Sequence, residues 1–94
     1  MKNLVQYINE SVTTSQIVGY ICKDLKTNKS EDEDEVWRAV LQFKDEHPGK
    51  TFRYAVSPTA KLDKKDTING QLLYLKIGDD SWLWKPSKKM FEEI

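Results

Sequence analysis

The stretch Glu31-Asp32-Glu33-Asp34-Glu35-Val36-Trp37-Arg38-Ala39-Val40-Leu41-Gln42-Phe43-Lys44-Asp45-Glu46 decides the fold, because it reads in two ways. Read as a helix, it has Ser30 as N-cap with Glu33 as reciprocal partner, and a block of carboxylates against the positive helix end. Val36, Trp37, Ala39, Val40, Leu41 and Phe43 then share one side, with Arg38, Gln42 and Asp45 opposite, and His47-Pro48-Gly49 is a stop signal. Read as a strand, Trp37, Ala39, Leu41 and Phe43 alternate, but Val36 and Val40 point outward. The helix accounts for more apolar positions and is the expectation carried forward, with the strand as its alternative.

Upstream, Ser15 to Lys26 reads as a second amphipathic helix. Thr13 and Gln16 are spaced as a capping box, and Ile17, Val18, Tyr20, Ile21, Cys22 and Leu25 lie on one broad face. Residues 2–10 read as a further short helix, with Leu4, Val5, Tyr7 and Ile8 on one face. Ser11 to Thr14 interrupt it with residues suited to caps rather than helix interiors.

Downstream the period changes to two. Thr51 to Val56 alternates and Ser57-Pro58 ends it. Residues 59–67 form a charged connection and Asn69-Gly70 a tight turn. Gln71 to Ile77 and Ser81 to Lys85 are paired strands around Gly78-Asp79-Asp80, and Pro86-Ser87 opens a short terminal helix holding Met90, Phe91 and Ile94. The expected fold is α+β: two to three N-terminal helices on a three-stranded antiparallel sheet, with a short C-terminal helix.

At 94 residues the chain fits one domain, and hydrophobic residues at 38% and aromatics at 11% suffice for a modest core. No apolar run approaches the length of a membrane span, and no secretory signal pattern stands at the start. Cys22 is the single cysteine, so an intramolecular disulfide is excluded and a reducing compartment is expected. Net charge is zero. Residues 1–49 carry six Lys/Arg against nine Asp/Glu, and residues 50–94 carry nine against six. That asymmetry is too mild for a general DNA-coating protein.

The opening Met1-Lys2-Asn3-Leu4-Val5-Gln6-Tyr7-Ile8-Asn9-Glu10-Ser11 resembles the leader of the internal head proteins of T4-like tailed phages. Those leaders begin Met-Lys, carry an aromatic-Ile pair and end in a hydrophobic-x-Glu tripeptide. Here Lys2, Tyr7-Ile8 and Ile8-Asn9-Glu10 match, and of seven glutamates only Glu10 has Leu or Ile two places earlier. The resemblance covers eleven of the 94 residues. It implies that residues 1–10 bind the prohead scaffold, that the prohead protease cuts between Glu10 and Ser11, and that residues 11–94 form the mature domain. It further implies a virion location in the capsid interior, followed by injection into the host cytoplasm. Some members inhibit host restriction enzymes, so contact with a host defence nuclease is the implied task. Known internal proteins tend to be basic, and this neutral chain departs from them.

Other features are read against plainer alternatives. Glu31, Asp32, Glu33, Asp34 and Glu35 either bind a basic partner or form a solvated first helical turn. Trp82 and Trp84 share one sheet face. They are either core or an exposed aromatic patch rimmed by Lys85, Lys88 and Lys89 and extended by Arg53 and Lys76. The exposed arrangement would suit a protein partner or the bases of single-stranded nucleic acid. His47 reads as a turn residue and Cys22 as a small buried hydrophobe. Asp63, Asp66, Asp79 and Asp80 read as turn residues, and no glycine spacing fits a phosphate loop. The expectation is therefore a non-enzymatic domain with no metal or cofactor. The alternative to the packaged protein is a nucleic-acid-binding or cytosolic regulatory protein that keeps its first helix.

Overall fold

In a computed structural model of the chain, residues 13–58 and 66–94 are described. The expected helix over residues 2–10, the Tyr7, Ile8, Glu10 and Ser11 signals, and Asp63 lie outside the described residues.

Helix α1 spans Thr14–Leu25 and starts at the capping box read from the sequence. The Thr13 amide donates to Gln16 Oε1 at 2.9 Å, and the Gln16 amide donates to Thr13 Oγ1 at 3.2 Å. Its buried stripe is Ile17, Val18, Ile21 and Leu25, the i, i+1, i+4, i+8 spacing of one helix face. Helix α2 spans Ser30–Glu46, so the helical reading of the deciding stretch holds. Val36, Ala39, Val40 and Phe43 are buried, at i, i+3, i+4, i+7. Leu41 falls one step past that stripe and is 51% exposed, contrary to the broad apolar side expected.

The start of α2 differs from the expected capping box. Lys29, not Ser30, is the N-cap, and it makes no side-chain cap bond. The acidic first turn is held instead from the preceding loop. Thr27 Oγ1 donates to Asp32 Oδ2 at 2.6 Å and accepts from the Lys29 amide at 3.3 Å. At the opposite end Lys44 Nζ donates to Thr14 Oγ1 at 2.7 Å. The helices therefore form an antiparallel pair tied at both ends.

The sheet has four described strands rather than three: β1 Arg53–Pro58, β2 Gln71–Ile77, β3 Asp80–Lys85 and β4 Met90–Glu93, all antiparallel in the order β1-β2-β3-β4. The expected C-terminal helix is corrected to β4. Lys89 instead adopts a left-handed φ of 55°, and the Lys88 and Lys89 amides both donate to the Lys85 carbonyl. That turn sets Met90 opposite Lys85 and sends Phe91 into the core beside Trp84, with ring centroids 4.8 Å apart.

Strand β1 runs through Ser57 to Pro58 rather than ending before them. Pro58 stands at the end of an edge strand, where a missing N–H costs no ladder bond. Asn69 and Gly70 both take positive φ, 53° and 80°, between Ile68 and Gln71, which exchange both backbone hydrogen bonds. This is the mirror-image turn whose twist matches paired strands, and a glycine at its second position avoids steric cost.

Both helices pack on one face of the sheet. Their stripes meet Phe52, Tyr54, Leu73, Leu75 and Trp84 in one core. Phe43 is its hub, with the rings of Phe52, Trp82 and Phe91 at 5.3, 5.4 and 5.2 Å. The α+β class is as expected.

Candidate functional surfaces

The register of the sheet sorts every strand residue onto one of two faces. Trp84 pairs with Phe91 and Trp82 with Leu75, so both tryptophans point toward the helices. Trp84 is fully buried and its indole Nε1 donates to Glu35 Oε2 at 2.7 Å. Trp82 is partly buried, against the rings of Phe43 and of His47, the latter at 4.7 Å. The core alternative for this pair is the one realised, and an exposed double-tryptophan patch is not.

The lysines expected to rim that patch are largely committed elsewhere. Lys89 Nζ meets Glu35 Oε1 at 2.6 Å, so Glu35 is shared between an indole and an ammonium. Lys85 bridges Asp66 at 3.5 Å and Glu92 at 3.1 Å. Its pKa is raised, first by the hydrogen bond to Glu92 and then by the nearby carboxylates against some desolvation. Asp66, read from the sequence as a turn residue, is buried and accepts from Ser87 Oγ at 2.6 Å. The Ser87 hydroxyl chiefly holds this carboxyl below its usual range, with the Ser87 amide and Lys85 adding to the effect against burial. Of the three C-terminal lysines only Lys88 is exposed with no ion pair among the described residues.

The acidic run divides in two. Asp32 and Glu35 face inward and hold the loop, the Trp84 indole and Lys89. Glu31, Glu33 and Asp34 are exposed and form a carboxylate ridge at the positive end of α2. The partly buried Cys22 has its thiol pKa raised, first by burial and then by Glu33 and Asp32, which makes it a poor thiolate.

His47 lies over the Phe43 ring at 4.3 Å, and its Nδ1 sits 3.2 Å from the Phe43 carbonyl, a packed turn residue. Tyr54 donates its hydroxyl to Asp24 Oδ2 at 2.6 Å, and burial first, then Asp24, pushes its ionisation up. Among the described residues no three His, Cys, Asp or Glu side chains converge on a metal position, and no helix is long and apolar enough to cross a membrane.

The opposite sheet face was not singled out in the sequence. Its first register row is Arg53, Lys76 and Ser81, the second Ala55, Tyr74, Leu83 and Glu92, and the third begins Ser57 and Leu72. No described helix covers it. The signal was available: once Gln71–Ile77 is a strand, period two sends Leu73 and Leu75 one way and Leu72, Tyr74 and Lys76 the other. Ala55, Ser57 and Ser81 are small, so a shallow hollow of ≈ 400 Å³ remains beside Tyr74 and Lys76, closed on one side by Ile94.

Comparison with models of protein families, with curated proteins and with solved structures finds no match to this chain.

Proposed function

We propose that this chain is a phage internal head protein: addressed to the prohead by residues 1–10, cut after Glu10, and delivered with the DNA to act by contact with a host defence nuclease. The reading rests on the Tyr7-Ile8-Asn9-Glu10 resemblance. The structural observation that supports it is the cap of α1: Thr13 and Gln16 form it, and both lie downstream of the proposed cut.

The contact surface proposed is the ridge of Glu31, Glu33 and Asp34. A nuclease presents cations where it holds phosphates, and a row of carboxylates on a rigid helix end complements them. The tryptophan strand is set aside for this role because its rings face the core.

Co-expression with the prohead protease, read by intact mass, is expected to yield a chain beginning at Ser11, and Glu10→Ala is expected to block the cut. A mature virion protein that keeps Met1 overturns the reading. A chain starting at Ser11 that no longer folds also overturns it, since an address tag is dispensable to its cargo.

A further inference from the structure

We propose that the sheet face opposite α1 and α2 is a binding site for single-stranded nucleic acid, with one base lying on Tyr74 and the adjoining phosphates on Lys76 and Arg53. The proposal does not depend on how the chain reaches its cell.

Three observations carry it. The first is shape. Tyr74 stands on the central strand β2 with the one-carbon side chain of Ala55 directly across the β1 register. Ser57 and Ser81 are nearly as small, so the hollow next to the ring is open to a flat group. Its size, ≈ 400 Å³, suits one nucleotide unit. Leu72 and Leu83 flank the ring as half-buried apolar neighbours on which a second base can rest.

The second is charge. Lys76 lies two residues along the same strand, about 6.7 Å away, and Arg53 sits directly across from Lys76 in register. Neither forms an ion pair with a described carboxylate. The Arg53 guanidinium is steered along this edge by donating to the Gly78 carbonyl at 3.0 Å. Glu92, the one carboxylate in the described register rows of this face, is neutralised by Lys85 at 3.1 Å. A locally cationic end beside an apolar, aromatic centre matches a polyanion whose bases carry π-faces.

The third is openness. A free nucleotide is normally held in a cleft that buries most of its surface. This hollow is shallow and lies on a sheet face that no described helix covers, so a strand can enter along one edge and leave along the other. Aromatic side chains on the open face of a four-stranded sheet can stack the bases of a single strand. A duplex hides its base faces and offers Tyr74 nothing to stack on.

The test uses the full 94-residue chain and a fluorescein-labelled oligothymidine or oligouridine of about ten nucleotides, followed by anisotropy. Saturable binding is expected with a Kd on the order of 10⁻⁵ M at low salt. Two phosphate contacts predict about a sevenfold loss between about 50 and 200 mM salt. Tyr74→Leu is expected to weaken binding by about 5- to 160-fold, the range for losing one base–aromatic stack. Lys76→Gln is expected to weaken it and to flatten the salt slope by about 0.7. Lys76→Gln and Arg53→Gln alter exposed or half-exposed side chains, so they keep the test decisive if Tyr74→Leu fails to fold.

Absence of saturable binding at low salt overturns the proposal. So does binding that Lys76→Gln and Arg53→Gln leave unchanged. Displacement by a mononucleotide as effective as by the oligomer overturns the single-strand assignment in favour of a small-ligand site. Equal affinity for duplex removes the role of stacking. A polypeptide that binds this face while oligonucleotides do not identifies a protein-docking surface and overturns it as well.

Discussion

The two faces of the sheet are built from the same strands, yet they treat aromatic groups and charges in opposite ways. On the helix side, Trp84 is fully buried, its one polar atom is satisfied by Glu35, and Glu35 is in turn satisfied by Lys89. On the open side, Tyr74 is half-exposed beside Lys76 and Arg53, which have no described carboxylate partner. Burying an indole N–H is favourable only with an acceptor in place. The helix side therefore recruits charges from α2 and from the β3–β4 turn to complete its core. Lys85 pairs with Glu92 and Asp66 on the open side, but around Tyr74 no such pairing is present, and Lys76 and Arg53 remain available to a ligand.

The comparison is broken most forcefully at Trp84. Trp84→Ala removes the largest fully buried side chain and leaves Glu35 without its indole partner. A loss of about 3–5 kcal/mol is expected, a large share of the stability of a small domain. Trp84→Phe keeps a ring in place and removes only the indole donor from a carboxylate that retains Lys89, and about 1–3 kcal/mol is expected from the lost hydrogen bond and the lost volume. Urea denaturation of both variants separates the ring from its hydrogen bond. A Trp84→Phe variant as stable as the unchanged chain would mean that the hydrogen bond to Glu35 contributes little to the fold.

A second, smaller effect lies where the β3–β4 turn meets the long connection. Asp66 is buried and its folded pKa is depressed by Ser87 and Lys85. The sign follows from linkage. The folded state binds the proton more weakly than the unfolded chain, so ionised Asp66 contributes stability at neutral pH. That contribution starts to fall as the pH drops toward the ordinary value of 3.8 and is lost on passing through the lower folded value. Asp66→Asn is expected to lower stability at pH 7 by about 1.5–3 kcal/mol, the range for hydrogen bonds to a charged group. It is also expected to flatten the acid limb of a stability-versus-pH curve. A variant with an unchanged acid limb would assign that limb to other carboxylates.

Local signals in the sequence were read correctly where they act over a few residues. The Thr13/Gln16 capping box, the Asn69-Gly70 turn and the helical period of Val36, Ala39, Val40 and Phe43 each needed only their neighbours. Signals that depend on distant partners were not legible. Asn69 turns the chain and also donates to the Leu25 and Lys26 carbonyls at 2.7 and 3.1 Å, and Gln71 adds a bond to Leu25. The β hairpin thus satisfies the C-terminal end of α1 from more than forty residues away. The acidic run looked uniform, yet tertiary structure assigns Asp32 and Glu35 to the fold and leaves Glu31, Glu33 and Asp34 outside. The Met90, Phe91 and Ile94 spacing suited a helix. It became β4 because the backbone of β3 needed a partner and only Phe91 was required by the core.

The smallest expected effect sharpens the comparison most. Tyr74 and Leu75 are neighbours on β2 that point to opposite faces. Leu75→Ala opens a cavity in a fully buried site and is expected to cost about 2–5 kcal/mol. Tyr74→Leu keeps an apolar side chain on a face with no described cover, and its cost is expected to stay within about 0.5 kcal/mol. Denaturation of the two variants side by side measures the asymmetry of the sheet directly. A Tyr74→Leu loss approaching that of Leu75→Ala would mean that the open face is packed against something in solution, either another part of the chain or a second copy. Dilution distinguishes them, because an intermolecular cover makes the loss concentration-dependent and an intramolecular one does not.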